Sequence, residues 1–196
     1  MGEAVPGSRG VPERAPAHRA AERTVQVWDL PLRLWHWTLA VFVLVAWWTP
    51  NRFDGLHRLA GYGVIALLIF RLIWGFAGTR YSRFRTVGVR LRAAPRYLWN
   101  LRRGITGRYI GLNPAGTAML VALLTLLAIS AVSGAMQVTV SFFGVWWVED
   151  THTYSSDIVM ILVVLHVLGA VVVGVLQRQN LVRAMITGRK LIRGHR

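Results

Sequence analysis

Long uncharged stretches dominate the chain. No charged side chain occurs from Leu34 to Asn51, and the apolar run effectively begins at Leu30. From Leu59 to Thr79 only Arg71 interrupts, from Tyr109 to Val148 nothing does, and from Ile158 to Asn180 the sole charge is Arg178. About 20 apolar residues cross a hydrocarbon core of about 30 Å, so these runs predict four transmembrane helices near 30–49, 56–77, 116–137 and 153–177. The third run exceeds one span. Its tail, Val138–Val148, carries Phe142, Phe143, Trp146 and Trp147 and is expected on the outer surface. The predicted fold class is all-α, an integral membrane four-helix bundle.

Composition agrees. Hydrophobic residues make up 54% of the chain and the net charge is +15. Such basicity in a soluble chain suggests nucleic acid, but a mean hydropathy of +0.43 points instead to a bilayer protein with its cations in the loops. Five Lys/Arg precede Leu34, nine lie between Gly78 and Ala115, and six follow Leu176. Thr49–Gly55 has only Arg52, and Gln137–Ser155 has no cation but carries Glu149 and Asp150. All three basic segments fall on one side of a four-helix topology. The positive-inside rule therefore predicts that both termini are cytoplasmic. Trp47, Trp48, Trp146 and Trp147 then mark the outer headgroup level, and Trp28, Trp35, Trp74 and Trp99 the inner one.

Residues 1–24 are rich in Pro, Gly, Ala, Arg and Glu without an apolar run, and are expected to form a disordered cytoplasmic tail. Residues 25–190 make the membrane domain and 191–196 a basic tail. In the inner loop, Val87–Arg103 interleaves Val87, Leu91, Leu98 and Leu101 with Arg90, Arg92, Arg96, Arg102 and Arg103. This pattern predicts one or two amphipathic helices on the membrane surface, as a lipid anchor or a partner's docking surface. Asn113–Pro114 reads as a cap and first turn for the third span.

The chemistry rests on histidine. With no Cys, disulfides, thiolate metal sites, iron–sulfur clusters and thioether-linked haem are excluded. His18 and His195 fall in the tails and are expected to be solvated. His36, His57, His152 and His166 lie in or at the lip of predicted spans, where an ionisable group is costly enough to suggest function. His152 and His166 are fourteen residues apart, about 21 Å of rise with about 40° of angular drift, so they share one helix face at two depths. His36 is about 9 Å and His166 about 16 Å from the inner helix ends, while His57 and His152 sit at outer ends. Depth therefore pairs His36 with His166 and His57 with His152.

Zinc would require three or four converging ligands. A haem iron requires two, on opposite faces of a flat macrocycle that can fill a bundle core. Two bis-histidine b haems, one above the other and bound non-covalently, fit the pairs. Gly61, one turn from His57, together with Gly63, Gly134, Gly169 and Gly174, would let a flat ring approach the backbone or would serve helix contacts. Arg33, Arg58 and Arg71 are candidate partners for haem propionates, although Arg33 and Arg58 read equally as interface cations.

Several runs resemble the bacterial cytochrome b561 and Ni,Fe-hydrogenase-type b cytochrome family. They are Val27-Trp28-Asp29-Leu30-Pro31-Leu32-Arg33-Leu34-Trp35-His36-Trp37, Leu56-His57-Arg58-Leu59-Ala60-Gly61-Tyr62, Phe70-Arg71-Leu72-Ile73-Trp74-Gly75, Asn113-Pro114-Ala115-Gly116 and Leu165-His166-Val167-Leu168-Gly169, with the segment from Asn180 to Lys190. The resemblance extends in order from about Val25 to Lys190. It implies a di-haem cytochrome b with axial ligands His36, His57, His152 and His166. Two positions depart from the family pattern. Thr151 and Thr153 flank His152 where a Glu is often found, and Leu112 stands where a His is frequent.

The resemblance implies electron relay in the bacterial inner membrane between quinone and a redox partner, such as a periplasmic c-type cytochrome or a hydrogenase or dehydrogenase subunit. An electron-transfer subunit is expected rather than a stand-alone enzyme. Asp and Glu are read as confined to loops and tails, so quinone protons would be handled near an interface, with Arg71 and Trp74 as candidates. Three alternatives stand beside this reading: a superoxide:quinone oxidoreductase, a His-lined metal transporter and a non-redox membrane anchor.

Overall fold

The computed structural model describes residues 23–50, 53–79, 83–105, 109, 111–177 and 179–192. Most of the expected N-terminal tail lies outside the described residues, as do His18, His195, Arg52, Arg178 and residues 193–196. The elements in chain order are β1 (Arg23–Gln26), α1 (Leu30–Trp48), α2 (Asp54–Ala77), α3 (Val87–Arg102), α4 (Pro114–Gln137), α5 (Trp146–Leu176), α6 (Leu181–Thr187) and β2 (Arg189–Ile192). A single 3-10 turn, Phe84–Thr86, leads into α3.

Four helices, α1, α2, α4 and α5, are long and apolar enough to cross a membrane. Their outward faces are apolar too: Leu34, Ile73, Phe76, Ile161 and Val175 are all at least 60% exposed, a surface suited to lipid and not to water. The chain is a multi-pass membrane protein. Sequence signals set the helix starts. Asp29 Oδ1 accepts the Leu32 N–H at 2.9 Å and Pro31 sits in the first turn of α1. Asn113 Oδ1 does the same for Gly116 N–H at 2.6 Å, ahead of Pro114.

The fourth span differs from its expected range. It begins at Trp146, not near residue 153, and runs for 31 residues, about 46 Å at 1.5 Å per residue. Glu149 in its first turn complements the positive helix terminus, so the helix continues past the apolar stretch. Trp146–Val148 therefore belong to α5, and only Val138–Val145 form the connecting turns. The carboxylates were also misplaced by the sequence reading: Asp54 opens α2, and Glu149, Asp150 and Asp157 all belong to α5. Asp157 lies within α5, exposed, five residues beyond His152.

α1 and α2 run antiparallel, with Trp35 Nε1 donating to the Leu67 carbonyl at 2.7 Å. α4 packs on both α2 and α5. Leu32, Trp35, Leu39, Val64, Leu127 and Val159 form the buried apolar centre. The loop between α2 and α4 contains one continuous helix, α3, despite Pro95 in its interior. It lies against α4 through buried Ala94 and Tyr97, while Val89, Leu91, Leu98 and Trp99 face outward. Arg90 Nη1 donates to the Leu112 carbonyl at 2.9 Å.

The two ends of the described chain meet, which the hydrophobic pattern did not predict. β1 and β2 pair antiparallel, Arg23 opposite Ile192 and Gln26 opposite Arg189. Residues 23–24 and 191–192, expected in tails, thus belong to a two-stranded clasp. Gly188 ends α6 at φ +78°, and its carbonyl accepts the N–H groups of Val27 and Trp28 at 2.8 and 3.1 Å. A Cβ there would stand 2.6 Å from the Trp28 carbonyl oxygen, so glycine is required by both backbone conformation and space. Lys190 is buried, with Nζ 3.4 Å from the Gly111 carbonyl, and that burial lowers its pKa below the ordinary lysine value.

Candidate functional site

The four intramembrane histidines meet as two pairs, in the combination expected from depth. The imidazole centroids of His57 and His152 are 6.0 Å apart with their planes crossed at 89°. Those of His36 and His166 are 6.2 Å apart and crossed at 50°. An ion shared by two imidazoles, with metal–nitrogen bonds of about 2 Å and the ring radius on either side, would need centroids about 6 Å apart. Both pairs have that spacing. α5 packs closely along α4, whereas its approach to α1 and α2 is sparse; the rings meet across this second seam.

Local sequence explains the pair at the α1–α2 turn. His57 Nδ1 lies 2.9 Å from the Ala46 carbonyl. Four residues after Ala46 stands Pro50, which has no N–H to offer that carbonyl, so the imidazole supplies the donor. His152 Nδ1 lies 2.8 Å from the Ser130 carbonyl. The close approach depends on Gly134, one turn along α4: a Cβ there would stand 2.8 Å from His152 Cε1 and 2.9 Å from Nδ1. With Nδ1–H donated to backbone oxygen, Nε2 of each ring is the nitrogen left for a metal, a common arrangement of ligating histidine.

His36 is set differently. Its Nδ1 is buried and has no hydrogen-bond acceptor among the described residues. Trp37 meets its ring edge-on at 5.2 Å.

Arg71 lies level with the second pair, through Trp35 beside His36. Its guanidinium carbon sits 5.6 Å from the Trp35 ring centroid and 4.3 Å from that of Phe84. The residue is 4% exposed, yet Nε and Nη1 find no acceptor among the described residues. A buried cation with unsatisfied donors is expensive, and a carboxylate bound there would remove that cost. The donor set thus fits the propionate of a b haem.

The remaining candidates diverge. A Cβ on Gly61 or Gly169 would meet nothing within 4 Å, leaving room beside His57 and His166 for a flat ring. Gly63 is instead packed under Phe42, and Gly174 against the Gln179 carbonyl; these two serve chain packing. Arg58 pairs with Asp54 at 2.8 Å on the surface. Arg33 Nη1 donates to the Ile186 carbonyl, tying α1 to α6. Trp74 Nε1 donates to Asp29 Oδ2 at 3.2 Å. Among the described residues no group of three or more His, Cys, Asp or Glu could hold a metal ion.

Asp29 was missed as a positioning residue. It caps α1 and also accepts from Trp74 and from Thr79 Oγ1 at 2.6 Å, fixing the start of α1 against the end of α2. Its signal was present: Asp before Leu-Pro at a helix start is a capping pattern.

Membrane-spanning helices that bring histidines together in facing couples define a class of membrane bundle suited to carrying electrons. The chain belongs to the prokaryotic cytochrome b561 family, which it matches over residues 27–188. It is accordingly a b-type cytochrome of membrane electron transfer, with haem b as its cofactor. Among similar proteins is a probable Ni/Fe-hydrogenase B-type cytochrome subunit of Azotobacter chroococcum mcd 1, 25% identical over 89% of this chain and 92% of the relative. Proteins of the same description from Azotobacter vinelandii and Rhizobium leguminosarum bv. viciae are 25% and 26% identical, over 89% and 91% of this chain and 92% and 95% of theirs. No solved structure matches the chain.

Proposed function

We propose that this chain holds two b haems, one between His57 and His152 and one between His36 and His166, and relays electrons across the bacterial inner membrane. The observation that carries the reading is the common spacing of the two couples, 6.0 and 6.2 Å between centroids. Haem iron supplies the one-electron chemistry; the chain sets its position, insulation and potential. His57 and His152 are oriented by the Ala46 and Ser130 carbonyls, Gly61 and Gly169 leave space for the macrocycle, and Arg71 neutralises a propionate. The basic segments favour an orientation with both termini cytoplasmic, so the His57/His152 couple is the outer one.

Exchange is with quinone in the bilayer and with a redox partner on the outer side. The names of its relatives favour a hydrogenase subunit in that role, and a c-type cytochrome is the second choice. Purified protein should show sharp reduced-minus-oxidised α and Soret bands and two haems per chain by pyridine haemochrome. A dithionite-treated sample without those bands overturns the reading and leaves the transporter alternative.

A further inference from the structure

The connection between α2 and α4 gathers cations that the chain itself leaves without counter-charge. Seven arginines lie between residues 83 and 103, and none is paired with a carboxylate among the described residues. Asp54, Glu149 and Asp150 open α2 and α5 at the opposite end of the bundle, and Asp157 lies within α5. Asp29 is engaged by Trp74 and Thr79.

α3 is fixed at the level where two spans end. Buried Ala94 and Tyr97 hold it against α4. Tyr97 Oη accepts from Asn113 Nδ2 at 3.2 Å, and Arg90 reaches the Leu112 carbonyl, both at the start of that span. At about 100° per residue, Leu91 and Leu98 share a strip beside this buried face, while Arg92, Arg96 and Arg103 share a strip opposite it. Leu91, Leu98 and Trp99 are exposed, and the Arg103 guanidinium carbon stands 5.1 Å from the Trp99 ring centroid. Apolar side chains set beside arginine at the headgroup level are what an interfacial helix offers to anionic lipid. A nucleic acid would leave the leucines uncovered.

A cleft of about 340 Å³ opens beside this helix, lined by Gly75, Phe76, Arg83, Phe84 and Arg85. Phe76 is 75% exposed and meets Phe84 edge-on at 5.9 Å. Phe84 in turn packs over Gly75, where a Cβ has no room, and Arg83 Nε donates to the Gly78 carbonyl at 2.7 Å. An apolar wall on a membrane span thus leads directly to guanidinium groups.

We infer that this connection binds anionic phospholipid of the adjoining leaflet. One molecule lies with an acyl chain on Phe76 and its phosphate at Arg83 and Arg85, and neighbouring headgroups line Arg92, Arg96 and Arg103. The site is independent of how many haems the bundle carries.

The test titrates the full chain, as purified in detergent, with phosphatidylglycerol or phosphatidylcholine and reads the adducts by native mass spectrometry. Phosphatidylglycerol should stay bound at collision energies that strip phosphatidylcholine. Arg83→Gln with Arg85→Gln should weaken the tightest adduct about fivefold for each arginine removed, whereas Arg83→Lys with Arg85→Lys should retain it. Because the chain has no Cys, single nitroxide labels at Leu98→Cys and Arg96→Cys read depth in phosphatidylglycerol nanodiscs. Oxygen should relax the first more than a water-soluble nickel chelate does, and the second should show the reverse. Equal retention of the two lipids, or unchanged binding when both arginines become glutamine, overturns the inference. A label at position 98 open to the nickel chelate, or lipid displaced by inorganic phosphate or an oligonucleotide, overturns it too and gives this face to a soluble partner.

Discussion

His152 lies against Gly134 so closely that a single added methyl would stand 2.8 Å from the ring. The imidazole uses that space to reach the Ser130 carbonyl one turn away on the same helix. A histidine contributed by α5 is thus aimed by α4, which contributes no histidine of its own. The close packing of α4 on α5 is in this sense part of the site.

The couples should behave as units. His36→Ala and His166→Ala should give the same spectrum and each reduce haem content from two per chain to one, as should His57→Ala and His152→Ala. Removing both members of one couple should cost no more haem than removing one, whereas one member from each couple should abolish both sites. Pyridine haemochrome against protein mass checks this, and unequal loss within a couple contradicts the pairing.

Gly61 distinguishes the loaded from the unloaded chain. A Cβ there meets nothing within 4 Å, so Gly61→Ala should leave the haem-free protein as stable or stabilise it by up to about 1 kcal/mol through helix propensity. With haem beside His57 the methyl becomes an overpacking defect of about 1–3 kcal/mol. Transfer of haem to a scavenging globin should therefore quicken in the variant, at the His57/His152 couple alone.

Arg71 predicts opposite signs in the two states. Without haem its buried Nε and Nη1 have no acceptor among the described residues and only the charge of Asp29 opposes the burial, so Arg71→Met should raise the unfolding midpoint of haem-free protein. With a propionate bound, removing the cation leaves that carboxylate buried alone, at about 3–5 kcal/mol, and haem retention at the His36/His166 couple should fall. Equal shifts in both preparations would show that no carboxylate reaches this guanidinium.

Gly188→Ala should open the clasp. The position has φ +78° and no room for a Cβ beside the Trp28 carbonyl, and the left-handed conformation alone costs about 1–2 kcal/mol for a non-glycine residue. Hydrogen exchange should rise at Val27 and Trp28, whose N–H groups both point at Gly188, while the amides of α4 keep their protection.

Tyr97 gives a pH signature. Burial, followed by the neighbouring Tyr109, raises its phenol above the ordinary 10.0, with the Asn113 and Gln177 hydrogen bonds opposing. The folded state then holds a proton that the unfolded chain releases. The contribution is complete below pH 10.0 and is lost as pH rises through the raised folded value. The docking of α3 on α4 should weaken over that alkaline window. A wild-type minus Tyr97→Phe difference in tyrosinate absorbance should titrate above 10.0; a midpoint at or below it contradicts the burial.

The four spans and the partnering of the histidines were legible because length, charge and helical rise are written in the side chains. Helix rise put His36 about 9 Å and His166 about 16 Å deep, unequal but closer to each other than either is to the histidines at the opposite ends. The far end of α5 was less legible: Glu149 and Asp150 end an apolar run but begin a helix well. The Ala46 and Ser130 contacts were hidden because a backbone carbonyl has no letter of its own; Pro50 and Gly134 are their only traces in the sequence. The pairing of Arg23–Gln26 with Arg189–Ile192 was equally hidden, since two four-residue strands separated by the whole bundle carry no recognisable periodicity.

That pairing has a consequence for biogenesis. β2 follows every span in translation order, whereas β1 precedes them all, so the ring of chain they form can close only after the fourth span has left the ribosome. Until then the seam between α5 and the first two helices does not exist, and a porphyrin cannot be gripped from both sides. Closure of the strands therefore follows the making of the fourth span, and so does any grip on a cofactor from both sides of that seam.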